Sequence, residues 1–318
     1  MAKLRVAVVG AGAFGRNHCR VVHESERADL VAVVDTDRAR AEAMASQYGA
    51  KASTDLQDLA VDAAIVAVPT TAHEAVAVAL IEAGVDVLVE KPIAPDLESA
   101  TRLIEAAESK GRILQVGHLE RFNPAVLELE RRVTLPLFFE IHRLNQFSPR
   151  SLDVDVVLDL MIHDVDLVLA LTKAEPEEIR AAGIKVLSEK VDIANVRFQF
   201  RNGCVANLTA SRVSTERVRK LRLFQPQQYL SVDYERKDLV IFSVGELRQI
   251  GFEKPPTSKD EPLKLQFEAF LDSVESRNSP KCSGAAARLT LGVALAILDK
   301  IKEHSDIVSQ SLVAGWKQ

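Results

Sequence analysis

The apolar, β-branched run Leu4 to Val9 passes directly into Gly10-Ala11-Gly12-Ala13-Phe14-Gly15, and then into a helix-forming stretch reaching about Glu24. A strand, a glycine-rich turn and a helix in immediate succession predict the opening βα unit of a parallel sheet. The three glycines have separate physical tasks. Gly10 permits the tight turn, Gly12 lets the backbone approach a pyrophosphate, and Gly15 lets helix and strand pack closely. The helix N-terminus offers N–H donors and the positive end of its dipole to phosphates. Ala11, Ala13 and Phe14 lie within the same cradle.

A second strand, Leu30–Val34, ends in Asp35, which stands 20 residues past Gly15. A carboxylate at that spacing is expected on the adenosine ribose hydroxyls. Asp37 adds a negative charge that repels a 2′-phosphate, so NAD is expected over NADP, with Arg38 pulling the other way. The plainer alternative is that Asp35 caps the helix beginning near Asp37. The βα alternation continues with helices over Arg38–Tyr48, Ala72–Ala83 and Leu97–Lys110. Strands are expected over Ala63–Val68, Asp86–Val89 and Ile113–Gly117. Residues 1–120 thus read as a doubly wound nucleotide-binding domain. Pro69-Thr70-Thr71 ends a strand on the cofactor side, where the hydroxyls would meet the nicotinamide ribose or cap the next helix. His73 joins this cofactor-side group in a structural rather than catalytic capacity.

The strand Asp86–Val89 runs into Glu90-Lys91-Pro92. Ligands of an open parallel sheet sit outside the carboxyl ends of its strands. Glu90 and Lys91 are therefore delivered into the crevice, and Pro92 stops further pairing.

Residues 121–318 have another character, and 318 residues suffice for two cores. His118 to Pro124 reads as a connection into a helix with Pro124 in its first turn. Leu137–Arg143 is expected as a strand and Asp153–Leu171 as a helix. Further strands are expected over Ile179–Leu187, Ile193–Arg201, Cys204–Arg212, Val218–Phe224, Tyr229–Tyr234 and Leu239–Phe242. Asn202-Gly203 marks a hairpin between two of them. Helices over Leu263–Glu275 and Ala285–Glu303 close the chain. The expected class is α/β: an N-terminal Rossmann-type parallel sheet, then an α+β domain with a large, mostly antiparallel open sheet.

Within the long helix, Asp159, His163 and Asp166 share one stripe at i, i+4 and i+7. A polar stripe on an otherwise apolar helix is costly unless it is hydrogen-bonded or faces a cavity. The competing account is a satisfied core histidine with acids favouring the helix N-terminus. One histidine with spaced carboxylates lacks the ligand density of a zinc site, so no metal is expected.

Composition limits the partners. A net charge of −5 argues against bulk nucleic-acid or membrane-surface binding. No stretch approaches the length of a membrane span, and Val6–Val9 is too short for a signal-peptide core. Cys19, Cys204 and Cys282 are widely spaced and form no CxxC pair, which suits a reducing, cytoplasmic compartment.

Together the GxGxxG start, Glu90-Lys91-Pro92 and Asp159-x-x-x-His163 resemble the Gfo/Idh/MocA oxidoreductases over essentially the whole chain. That resemblance implies an NAD(P)-binding Rossmann domain joined to an open-sheet domain that binds a polyol or sugar. Such sheets commonly form the subunit interface, so a homo-oligomer, dimer or tetramer, is expected. Lys91 is similar to the family's active-site lysine, and Asp159 and His163 to its aspartate–histidine pair, all three facing substrate. Met161 stands where the family often has glycine. The stretches VGHLERFNPA, LDLMIHDVDLV and SRVSTERVRKLRLFQ resemble a bacterial branch that oxidises the 3-hydroxyl of UDP-N-acetylglucosamine. In that branch a partner aminotransferase aminates the ketone for lipid A. An inositol or free-sugar dehydrogenase and an NAD-dependent glycosidase are the alternatives.

Arg121 and Asn123 are the expected further substrate contacts. Arg212, Arg217, Arg219, Lys220 and Arg222 crowd one stretch, where arginine forks suit a pyrophosphate or simply a solvated strand face or oligomer rim.

Oxidising an alcohol needs a base for the hydroxyl proton. A lysine must come down from about 10.4 to near 7, roughly 4 kcal/mol of differential interaction, whereas an imidazole starts near 6.5. His163 is therefore the expected base, oriented by Asp159, with Lys91 stabilising the developing charge on oxygen. The reverse assignment stays open.

Overall fold

Strand β1, Leu4–Val9, is buried from Val6 onward and forms the middle of the first sheet. The structure, a computed structural model, describes residues 2–57, 59–147, 154–245 and 247–315. It divides into one unit of residues 1–119 with 261–291 and another of 120–260 with 292–318.

In the first unit, β1 is followed by α1 (Ala13–Glu24), β2 (Ala28–Val34), α2 (Arg38–Tyr48), β3 (Lys51–Ser53) and β4 (Ala63–Val66). Then come a 3-10 turn (Thr70–Ala72), α3 (His73–Glu82), β5 (Asp86–Val89), α4 (Leu97–Ser109) and β6 (Leu114–Val116). All pairings are parallel, in the order β3-β2-β1-β4-β5-β6. Every residue of β4 and β5 is buried, as expected of strands covered on both faces. The order reverses between β1 and β4, which opens a crevice at the carboxyl ends. Strand β3, three residues long, gave no alternation to read.

The second unit begins with a 3-10 turn to Phe122 and α5 (Pro124–Arg132), followed by β7 (Phe138–Gln146). A π turn over Val157–Met161 leads into α6 (Ile162–Thr172). The single α-helix expected over Asp153–Leu171 is thus corrected: residues 154–155 are not helical, the helix opens on the wider π turn, and Asp153 lies outside the described residues. Strands β8 (Pro176–Ile184), β9 (Ile193–Phe200), β10 (Val205–Ser214), β11 (Val218–Gln225), β12 (Gln228–Asp233), β13 (Asp238–Val244) and β14 (Ile250–Glu253) complete the sheet. Its order is β14-β13-β12-β11-β7-β10-β9-β8, with β7–β10 parallel and the other neighbours antiparallel. The turn between β9 and β10 has Gly203 at φ +82, and the Asn202 side chain accepts the Cys204 N–H at 3.1 Å.

Alternation shows that one face of this sheet is core and the other open. In β9, Ala194, Val196, Phe198 and Phe200 are buried while Asn195, Arg197 and Gln199 are exposed. The open face carries a ladder of rings, Phe138, Phe224, Tyr229, Phe242 and Phe252, with neighbouring centroids 4.9–5.9 Å apart.

The two units divide near residue 120, and residues 261–291 return to the first. Helix α7 (Pro262–Ser276) belongs to the first unit. Its Phe267, Phe270, Leu271 and Val274 join the core built on Val6, Val8, Val22 and Val33. Arg27 also pairs with Glu268, Asp272 and Glu275 along that helix. Helix α8 runs Gly284–Gly315.

Candidate active site

The glycine turn after β1 is built to receive a phosphate chain. Gly10 has φ +102, and a Cβ on it would stand 2.5 Å from the Ala67 carbonyl oxygen. A Cβ on Gly15 would overlap the Gly10 carbonyl, so that glycine lets α1 seat on β1. At Gly12 a Cβ would meet nothing within 4 Å, and Gly12 caps α1 without a side-chain hydrogen bond. The amide-lined space is left for a ligand, with Phe14 61% exposed beside it. These residues fit a dinucleotide pyrophosphate.

Asp35 accepts the Ala11 N–H and the Asp37 N–H, each at 2.8 Å. It does not cap α2; Asp37 does, accepting the Arg40 N–H at 3.2 Å. Arg38 is drawn to Glu42 at 2.8 Å and Arg40 to Asp37 at 2.9 Å. Both arginines that follow Asp35 at the start of α2 are thereby engaged by carboxylates.

Pro69 precedes the 3-10 turn, and no threonine side chain caps it, so the hydroxyls of Thr70 and Thr71 are not taken up in that way. His73 is buried with Nδ1 2.8 Å from the Pro92 carbonyl and Nε2 2.9 Å from that of Val68. Burial outweighs both carbonyls and the charge of Glu90, and holds its pKa below the usual value. The ring braces the turn that follows β5.

That turn carries Glu90, Lys91 and Pro92, with a cis peptide between the last two. Glu90 Oε1 lies 2.7 Å from His18 Nε2, and its Oε2 accepts the Lys91 N–H at 3.2 Å. Burial pushes the Glu90 carboxyl upward, but the His18 hydrogen bond and the charges of His18 and Lys91 outweigh it and hold its pKa low. Sequence reasoning missed His18. Its position, one turn beyond Gly15 on the face that packs against β1, was the available signal.

In the second unit, Asp159 lies in the π turn and His163 in the first turn of α6. Both are half-buried, whereas Ile162 and every residue from Asp164 to Leu169 are buried. The third member of the expected stripe differs: Asp166 is buried, 3.8 Å from Arg121. Arg121 also lies 3.4 Å from Glu130. Asn123, expected on substrate, is buried instead. Its Oδ1 accepts the Ala125 N–H at 3.1 Å and its Nδ2 donates to the Tyr234 carbonyl at 3.0 Å, so its amide caps α5 and ties it to the residue just past β12.

Behind α6, Arg143 of β7 grips Asp164 with two hydrogen bonds, 2.8 and 2.7 Å, and donates to Glu120 at 2.8 Å. Burial opposes its charge, but the two carboxylates outweigh burial and raise its pKa well above the usual value. Its guanidinium stacks 5.1 Å from the Tyr234 ring centroid. This cluster fixes the direction of the helix that carries His163.

The basic stretch divides by strand parity. Arg212 is buried and donates to the Val191 carbonyl at 3.3 Å, 3.6 Å from Asp192. Arg222 pairs with Glu140 at 2.8 Å on the open face, which Lys220 shares. Arg217 pairs with Glu235. Arg219 alternates with Lys220 and Arg222 and falls on the core side with Leu221 and Leu223, and burial and the charge of Arg143 lower its pKa. Among the described residues no cluster of ligand-type side chains could hold a metal ion.

Residues 4–118 match the model of an oxidoreductase family with an NAD-binding Rossmann fold, and residues 133–229 match the Gfo/Idh/MocA C-terminal domain. The chain is 37% identical over 305 residues to UDP-N-acetylglucosamine 3-dehydrogenase of Acidithiobacillus ferrooxidans, covering 93% of this chain and 97% of that protein. It superposes on the solved structure of that enzyme with a TM-score of 0.90 at 36% identity, covering 95% of this chain and 99% of the other. It is also 30% identical to scyllo-inositol 2-dehydrogenase (NAD(+)) of Bacillus subtilis over 67% of this chain and 68% of that protein. The first unit is accordingly an NAD-binding Rossmann domain, and the protein is an oxidoreductase.

Proposed function

Because the chain belongs to the Gfo/Idh/MocA oxidoreductase family, we propose that it oxidises the 3-hydroxyl of a UDP-N-acetylhexosamine to a ketone, using NAD. The observation that carries this reading is the similarity to UDP-N-acetylglucosamine 3-dehydrogenase along nearly the full length of both chains. Gly10, Gly12, Gly15 and the α1 N-terminus hold the pyrophosphate, and Asp35 the adenosine ribose. Pro69, Thr70 and Thr71 lie toward the nicotinamide ribose. Bound NAD supplies the hydride acceptor.

The chain's own residues handle the proton and the charge. His163 accepts the hydroxyl proton, since an imidazole needs little tuning to act as a base near neutral pH. Asp159 orients the ring. Lys91 donates a hydrogen bond to the reacting oxygen and stabilises the negative charge that grows there. Arg121 has its charge met within its own unit and is assigned to holding Asp166 and α6 rather than to the sugar.

The same reading includes assembly and compartment. The ring ladder on the open sheet face supports a homo-oligomer formed through that face. Cys19, Cys204 and Cys282 are free and buried, which supports a reducing, cytoplasmic setting. Among the described residues no helix is long and apolar enough to cross a membrane. A 3-keto product suits an aminotransferase as the next enzyme, on a route to lipid A with a 3-amino sugar.

The test is a panel of UDP-N-acetylglucosamine, UDP-N-acetylgalactosamine, inositols and free sugars with NAD, following NADH and the ketone. Turnover of the UDP-sugars is expected. Turnover of inositol alone shifts the assignment to the inositol dehydrogenases, and sugar release without net NADH shifts it to a glycosidase.

A further inference from the structure

Glu90 stands immediately after the last residue of β5, where a carboxylate would ordinarily turn outward to water. Here it is turned inward. His18 from α1 donates through Nε2 at 2.7 Å, because a carboxylate can only accept. The backbone N–H of Lys91 donates to its other oxygen at 3.2 Å. From the end of β6, Gly117 makes the room: a Cβ there would lie 2.9 Å from Glu90 Oε2 and 3.1 Å from its Cδ. His18 is 1% exposed, and among the described residues its Nδ1 has no hydrogen-bond partner, so Glu90 is its sole polar anchor.

Burying a carboxylate is unfavourable, and an apolar side chain would fill the same space without that penalty. The neighbours Val89 and Ile93 are apolar and buried. Packing alone does not explain Glu90, but the residue beside it does. We propose that the largely buried His18–Glu90 pair is a positioning device for Lys91, fixing the backbone from which its side chain projects. The proposal rests on the reading of Lys91 as the residue that meets the substrate hydroxyl. His18 and Glu90 are positioning residues, not catalytic ones.

Each partner's place follows from the geometry. Glu90 is held by α1, the helix whose N-terminus receives the pyrophosphate, so the pair ties the lysine to the cofactor cradle within one unit. The groups that feel the Glu90 charge are His18 from α1, Lys91 in the turn and His73 from α3. Gly117 contributes only backbone. His73 braces the other side of the same turn through the Pro92 carbonyl at 2.8 Å.

The test compares His18→Leu, His18→Gln, Glu90→Gln and Gly117→Ala in the full-length protein. His18→Leu and Glu90→Gln are expected to lower kcat about 10–100-fold, the scale of a small misplacement of a reacting group. NADH affinity and KM should move less than about threefold. His18→Gln, which keeps an N–H donor near the place of Nε2, should recover most of the loss. Gly117→Ala, which pushes the carboxylate away, should resemble Glu90→Gln, and these two decide the matter if His18→Leu does not fold.

A substrate-free arm separates this inference from the sugar assignment. Lysines are reductively methylated with 13C, and the Lys91 signal, identified by its loss in Lys91→Arg, is recorded by NMR. A displaced or broadened Lys91 signal in Glu90→Gln and His18→Leu, with the other lysine signals unmoved, supports the pair even if no sugar in the panel is oxidised. Folded His18→Leu and Glu90→Gln proteins with kcat within about threefold of the unaltered enzyme, and an unmoved Lys91 signal, would overturn it.

Discussion

Asp35 Oδ2 accepts the backbone N–H of Ala11 at 2.8 Å, which ties the end of β2 to the glycine turn after β1. The carboxylate expected at the ribose is thus also a clamp on the phosphate cradle. Asp35→Ala should weaken NADH binding about 10–100-fold, the scale of one or two hydrogen bonds to a charged group. It should also narrow the preference over NADPH. Fluorescence titration with both cofactors reads this, and an unaltered protein that already prefers NADPH would contradict the role given to Asp35.

The glycine turn makes a prediction with two opposite signatures. Gly12→Ala places a methyl in open space, so the melting temperature should hold while NADH binding drops sharply. Gly15→Ala drives a Cβ into the Gly10 carbonyl, so the protein itself should lose stability. Thermal melts with and without NADH distinguish them. If both variants lose stability equally, Gly12 is structural.

Lys91→Met keeps the unbranched stem of the side chain and removes its charged end. NADH affinity should stay within about threefold while kcat falls more than about 100-fold, the scale of losing a group that stabilises the transition state. Turnover within about tenfold of the unaltered enzyme would remove Lys91 from the chemistry.

Arg143 and Asp164 form a buried pair with paired hydrogen bonds. Arg143→Met strands the carboxylates of Asp164 and Glu120 and should cost about 3–5 kcal/mol in urea unfolding. The double variant Arg143→Met with Asp164→Leu should recover part of that. No recovery would show that Glu120 alone demands the arginine.

Asp192 accepts backbone N–H groups of Val186, Leu187 and Ser188 at 2.7, 2.7 and 3.0 Å and the Ser188 hydroxyl at 2.7 Å. Burial raises its pKa, but these donors outweigh burial and hold it below the usual carboxylate range. A depressed folded pKa contributes stability above the unfolded value of about 3.9 and loses it as pH falls through the folded value. Asp192→Asn should be less stable at neutral pH yet lose less stability on acidification. Equal acid sensitivity in urea melts at several pH values would refute this.

Sequence by itself indicated the parallel sheet and the glycine turn expected to receive the cofactor, whereas the strand order came from the structure. A glycine turn, an apolar strand and an acid at fixed spacing are local features, each dictated by the chain within a few residues of itself. It likewise placed Lys91 at a strand end and His163 on the face of a helix. What Asn123, Arg121 and Asp166 meet was visible only in the tertiary structure, because a polar residue's partner depends on which donor or acceptor folding brings opposite it. For Asn123 that partner is the Tyr234 carbonyl, and for Asp166 it is Arg121. The return of residues 261–291 to the first core followed the same rule: an amphipathic helix shows which face it must bury, not where. For His18 the sequence offered a position on α1 but not a partner, since the carboxylate it meets lies 72 residues away in the chain.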